Sequence, residues 1–139
     1  MKKLFLTVVT IICFLAVANF VSAEVTFHNA NEATVGWSAV TTDVDGDLIT
    51  GTIQYRIYLA NADTDTGKAN PTLIADGLTG LSYTVTLNIK GRYFVGASAF
   101  DGEDESVINW ADEIENQGDN PLFGLRWKVS PHAPKNIKK

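Results

Sequence analysis

An all-β fold is what this 139-residue sequence predicts, and three observations predict it. Apolar residues alternate with period two over five segments, turn-forming clusters separate those segments, and no window of eleven or more residues keeps a helical period. Short strands at regular spacing read as a sandwich or barrel. The length fits one domain, since domains usually run to about 100–200 residues. A hydrophobic share of 45% excludes a disordered polyampholyte. The net charge of −5 argues against the basic surface of a nucleic-acid binder.

The elements follow in order. Met1-Lys2-Lys3, an apolar run from Leu4 to Phe20 and then Val21-Ser22-Ala23 make a basic, apolar and small-residue series. That is the pattern of a secretory signal peptide, with the cut expected after Ala23. The alternative is a retained membrane anchor, because the run is near the lower length limit for spanning a bilayer. Lipidation of Cys13 is disfavoured by Ile12, where a lipoprotein signal wants a small residue. A chain cut after Ala23 holds no cysteine, so its fold must rest on packing rather than disulfides.

Five alternating segments come next. Val35, Trp37 and Ala39 share one face, and Ile53, Tyr55, Ile57 and Leu59 another. Leu81, Tyr83, Val85 and Leu87 form a third set, and Tyr93, Val95, Ala97 and Ala99 a fourth. Phe123, Leu125, Trp127 and Val129 form the last. Between them lie Asp43 to Asp47, Asn61 to Pro71, Asp76-Gly77, Lys90-Gly91 and Asp101-Gly102, all turn-forming chemistry. Charge is uneven along this order. Residues 24–125 hold all 16 carboxylates against four cations, whereas residues 126–139 hold five cations and no acid.

Several of these pieces resemble a fibronectin type III domain. Val35-Gly36-Trp37-Ser38, and then Ile49 to Tyr58, are similar to its strands B and C, with Trp37 and Tyr55 at the core aromatic positions. Leu87 followed by Tyr93 resembles the family's tyrosine corner, and Tyr93 to Asp101 its strand F. Asn109 to Ile114 resembles the start of strand G. The resemblance implies an immunoglobulin-like β-sandwich of about seven antiparallel strands, with Trp37, Tyr55, Leu87 and Tyr93 as structural core. Taken with the export pattern, it divides the chain into residues 1–23 as signal peptide, 24–116 as the domain and 117–139 as a C-terminal extension with an extra strand and a basic tail. Two departures stand out: strand A is short or missing, and residues 122–129 compete with 109–115 for the place of the last strand.

Catalytic chemistry finds few parts. His28 and His132 lie near the two ends of the mature chain in no recognisable motif, and there is no nucleophile elbow, zinc motif or phosphate loop. No enzymatic activity is expected. Asp43-x-Asp45-Gly46-Asp47 partly resembles a calcium loop, but Leu48 and Gln54 stand where an EF-hand needs Gly and Glu. In the fibronectin type III arrangement the B–C and F–G loops share one end. Asp43, Asp45 and Asp47 would then approach Asp101, Glu103, Asp104 and Glu105, with Asp43, Asp45, Asp47, Asp101 and Glu103 giving at most a weak calcium site of about 10⁻⁴–10⁻³ M. The bland alternative is a hydrated acidic pole, and no other cofactor is expected.

These readings together imply a protein secreted or held at the cell surface, with the periplasm a further option. Its expected role is a non-catalytic module contacting extracellular protein or glycan, with no nucleic acid and no membrane after cleavage. The alternative is a structural subunit of a surface assembly that self-associates by edge pairing through residues 122–129.

Overall fold

The computed structural model describes residues 23–117 and 119–128. The expected signal peptide up to Ser22, Cys13, Val129 and the tail from Ser130 onward, His132 included, lie outside the described residues. Eight strands and one four-residue helix make up the described chain, in the order β1 (Thr26–Asn29), β2 (Glu32–Gly36), β3 (Gln54–Asn61), β4 (Thr72–Leu78), β5 (Ser82–Thr86), β6 (Gly91–Phe100), β7 (Asn109–Trp110), α1 (Ile114–Gln117) and β8 (Phe123–Trp127). The fold is all-β and sandwich-like. The larger sheet runs β1-β8-β6-β3-β4, with β7 also on β6, and the smaller sheet is the pair β2-β5.

The core forms where the two sheets face each other. Val35 and Val85 of the smaller sheet meet Ile57, Leu59, Val95 and Leu125 of the larger, with Leu87 beside them. Alternation explains this: odd-numbered residues of β3 and β6 point inward, even-numbered ones outward. Tyr55 and Leu87 are buried, and Trp37 and Tyr93 are half-buried, both packed against the cluster. The Tyr93 hydroxyl donates to the Ile89 carbonyl at 3.2 Å, tying the β5–β6 corner to the sheet. Ala39 and Leu81, expected on apolar faces, are exposed, because β2 ends at Gly36 and β5 begins at Ser82.

The topology departs from the expected antiparallel set. β1 is present, four residues long, and pairs parallel to β8, Thr26 opposite Phe123 through Asn29 opposite Arg126. β4 was not anticipated. Its pairing with β3 slips twice, between Tyr55 and Ile57 and between Ile57 and Tyr58. Bulges of this kind break the alternation that marks a strand, and Asp76-Gly77, expected as a turn, lies inside it with Gly77 at φ 66°.

The two candidates for the last strand turn out to share one place. β7 pairs with β6 at Gly96 and Ala97, and β8 pairs with the same edge at Gly91 to Tyr93. Three ladder positions along β6, from Gly96 to Tyr93, correspond to fifteen residues on the returning chain, from Trp110 to Leu125. Twelve residues are therefore looped out, and the Phe123 N–H to Ala111 carbonyl bond at 3.0 Å closes the excursion. Residues 123–127, expected within a C-terminal extension, are an inner strand with β1 on one side and β6 on the other. Neither edge of β8 is free for pairing with a neighbouring molecule.

Candidate functional site

The smaller sheet has two strands and covers only part of the larger one. Where it stops, a cleft of about 660 Å³ opens between the sheets. Its floor is Tyr55, Ile57, Val95, Ala97 and Ala99, and small side chains on β6 are the reason the space is not filled. Val35 and Trp37 form a wall. The rim carries Ser38, Ser106, Asn109, Gln117 and Asn120. Among the described residues, none charged at neutral pH lines the cleft, although the body around it is strongly acidic.

Two aromatic rings shape the wall and floor. Trp37 and Tyr55 lie with centroids 5.4 Å apart, tilted by 57°. The Tyr55 hydroxyl accepts the Val40 N–H at 3.0 Å, which fixes the chain leaving β2. Trp37 Nε1 is buried with no hydrogen-bond partner among the described residues. An unpaired buried donor costs about 1–3 kcal/mol, so this indole edge is a place where an acceptor would be stabilised. The excursion between β7 and β8 supplies Gln117 and Asn120 to the rim. Sequence reading missed this site, because neither the gap above β6 nor the looped-out residues leave a periodic signal.

The candidate calcium residues fold back on themselves. Asp43 Oδ1 accepts the N–H groups of Asp45 and Asp47, both at 2.9 Å. Asp101 Oδ1 accepts those of Asp104 at 2.8 Å and Glu103 at 2.9 Å, and these two bonds hold its carboxyl below the usual aspartate value. Both turns connect to one end of the larger sheet: the first leads from β2 into Gln54, which opens β3 opposite Phe100, the last residue of β6, and the second follows Phe100. Among the described residues, however, no three His, Cys, Asp or Glu side chains stand together as a metal-holding group.

Glu105 belongs to a different cluster, on the outer face of the larger sheet. It accepts from Tyr58 Oη at 2.5 Å, from Ser98 Oγ and from Arg56. Burial pushes the Glu105 carboxyl up, but these three donors outweigh it and leave the group below its ordinary value. Arg56 also pairs with Asp76 at 2.9 Å and lies 4.3 Å above the Phe100 ring. Further along, Lys68 Nζ bonds Asp112 at 2.8 Å and Glu113 at 2.6 Å, over the rings of Phe94 and Trp110. Trp110 crosses Gly96 so closely that a Cβ there would stand 2.7 Å from its Cε3. These contacts pin the start of the excursion that builds the rim.

At the other end of β6 a smaller recess of about 370 Å³ is lined by Asp63, Lys90, Gly91, Arg92, Arg126, Trp127 and Lys128. Arg92 Nε donates to Asp63 at 2.6 Å, and that pair holds the Asp63 carboxyl below its ordinary value. Comparison with family models, with curated proteins and with solved structures finds no match, so function rests on the chemistry of these two concavities.

Proposed function

We propose that the chain is an exported, non-catalytic recognition module of immunoglobulin-like build, resembling fibronectin type III domains, whose inter-sheet cleft receives an uncharged glycan. The observation that carries this reading is the cleft's lining: three aromatic rings (Trp37, Tyr55 and Phe123), an apolar floor and a rim of amides and hydroxyls, without a charged group among the described residues. Aromatic rings offer an apolar body to the C–H face of a sugar, and amides fix hydroxyls by donating and accepting hydrogen bonds. Such rim groups position a ligand but supply no general acid or base near neutral pH. The space lies within the range of about 300–1,000 Å³ common for small-molecule sites.

The strand order supports the class. A two-stranded β2-β5 layer facing β8-β6-β3-β4 follows the B-E and G-F-C-C′ arrangement of the immunoglobulin plan. The departure is β1, which in the seven-strand plan lies beside the second strand and here sits beside β8. The basic, apolar and small-residue opening of the sequence supports export. The alternative assembly role has no free strand edge at residues 123–127.

Titration of the full mature chain with neutral glucan, xylan, mannan and chitin oligosaccharides, followed by tryptophan fluorescence, tests the reading. A saturable change with at least one, lost in Trp37→Ala and kept in Trp127→Phe, is the expected result. Wild-type protein giving no saturable change with any of the four would overturn it.

A further inference from the structure

Register brings together cations that the sequence keeps apart. Lys90-Gly91-Arg92 enters β6, and Arg126-Trp127-Lys128 leaves β8 thirty-odd residues later. The two strands are antiparallel with Gly91 opposite Trp127 and Arg92 opposite Arg126. Lys90, Arg92, Arg126 and Lys128 thus converge on one recess of about 370 Å³. The described chain has only six cations, the other two being Arg56 and Lys68. Four of the six therefore stand in one place on an acidic protein.

Their neutralisation is incomplete. Asp63 is the one carboxylate lining the recess among the described residues, and Arg92 occupies both its oxygens, Nε on Oδ1 at 2.6 Å and the backbone N–H on Oδ2 at 3.1 Å. Among the described residues Lys90, Arg126 and Lys128 make no salt bridge. Like charges directly opposite on neighbouring strands, as Arg92 and Arg126 are, destabilise a ladder. An anion seated between them removes that repulsion, and a guanidinium's fork fits a carboxylate, sulfate or phosphate group. Beyond Lys128 the sequence adds Lys135, Lys138 and Lys139 and no acid.

We propose that this recess binds the anionic groups of an acidic glycan, at the opposite end of β6 from the neutral cleft. The rest of the surface is acidic and repels a polyanion, so the ligand is held at one end only and in one orientation. That polarity favours a chain end or a short charged stretch of polysaccharide over a nucleic acid, which binds along an extended basic face.

The test uses the full mature chain and four probes of matched length: a sulfated heparin fragment, an oligogalacturonate, neutral dextran and single-stranded DNA. Calorimetry should register the two acidic glycans, with affinity falling as salt rises at a log–log slope of about −2 to −3 for three or four neutralised charges, whereas any dextran taken by the neutral cleft should show no such salt dependence. Preference between sulfate and carboxylate probes identifies which anionic group the recess takes. The Arg126→Ala/Lys128→Ala variant should weaken binding by at least about tenfold. Lys135→Ala/Lys138→Ala/Lys139→Ala should weaken it less, and Trp37→Phe should leave it unchanged. Binding that survives the recess variant but disappears with the tail variant would overturn the site. Equal affinity for the DNA would overturn the glycan assignment. Because dextran and Trp37→Phe report on the cleft alone, failure of either site is read separately.

Discussion

Replacing Trp37 in two ways separates what its ring does from what its nitrogen does. The ring packs against the core cluster and against Tyr55 at 5.4 Å, but one side of it faces the cleft and the residue is only half-buried. A tryptophan buries about 150–250 Å², worth about 4–6 kcal/mol at about 25 cal/mol per Å². The unpaired Nε1 subtracts about 1–3 kcal/mol from that. Trp37→Ala should therefore destabilise by about 2–4 kcal/mol, at or below the usual range of about 3–5 kcal/mol for a large aromatic in a core. At about 4–8 °C per kcal/mol for a domain near this size, the melting temperature should fall by about 8–32 °C. Trp37→Phe keeps most of the packing and deletes the orphan donor, so the two effects nearly cancel and the melt should move by less than about 5 °C. Urea and thermal melts on the same preparations give both numbers. Equal losses from Phe and Ala would mean that Nε1 is paired in the folded protein. An Ala variant melting within a degree or two of the parent would mean that the ring is not packed at all.

Three other outcomes follow from the same contacts. Gly96→Ala should cost about 1–3 kcal/mol by overpacking, since its Cβ would meet Ile108 Cγ2 at 2.5 Å and Trp110 Cε3 at 2.7 Å; adding Ile108→Ala removes the nearer atom and should recover part of the loss in a double-mutant cycle. Acid should destabilise the fold with a definite sign: Glu105 has a folded pKa below its ordinary value of 4.5, as do Asp63, Asp76 and Asp101 below 3.8. Their stabilisation is complete above those unfolded values and is lost as pH falls through the folded ones, so melts between pH 7 and pH 2 should show the decline and Glu105→Gln should flatten it. Millimolar calcium should raise the melting temperature no more than sodium chloride of equal ionic strength, because Asp43 and Asp101 already bind their own backbone; a larger calcium shift, erased by Asp45→Asn with Glu103→Gln, would restore the metal site.

What the sequence made legible was the part governed by alternation. Tyr55, Ile57 and Leu59, or Tyr93, Val95 and Ala97, sit inward because period two leaves them no other choice once one face is apolar. β4 was illegible for the converse reason, since two register slips and a positive-φ glycine scramble the same period. The candidate sites are further from the sequence still. Asp43 and Asp101 show as turn residues, but whether their oxygens face a cation or their own N–H groups depends on backbone geometry. The division into an acidic body and a basic tail counts Lys90 and Arg92 with the acidic body. Only strand register shows that they share a recess with Arg126 and Lys128.

The split last strand explains why two segments competed for one position and why both carry the right pattern. Asn109, Ala111 and Phe123 line the cleft on the inward side, and Leu125 lies in the core opposite Tyr93. Trp110 and Arg126 lie on the outward side, opposite Gly96 and Arg92. The looped-out stretch amounts to twelve residues, an even number, so odd positions stay inward on both sides of it. An odd excursion would have turned Phe123, Leu125 and Trp127 to the outer face and emptied the core of Leu125, which is 2% exposed. The excursion can therefore vary in sequence, and in length by pairs of residues, without disturbing the sheet. It is also the segment that delivers Gln117 and Asn120 to the cleft and is anchored by Asp112 and Glu113 on Lys68. A stretch outside the sheet ladder, tied down at its base by Lys68 and by buried Ala111 and Leu122 and opening onto a neutral cavity, is where a β-sandwich has room to acquire specificity.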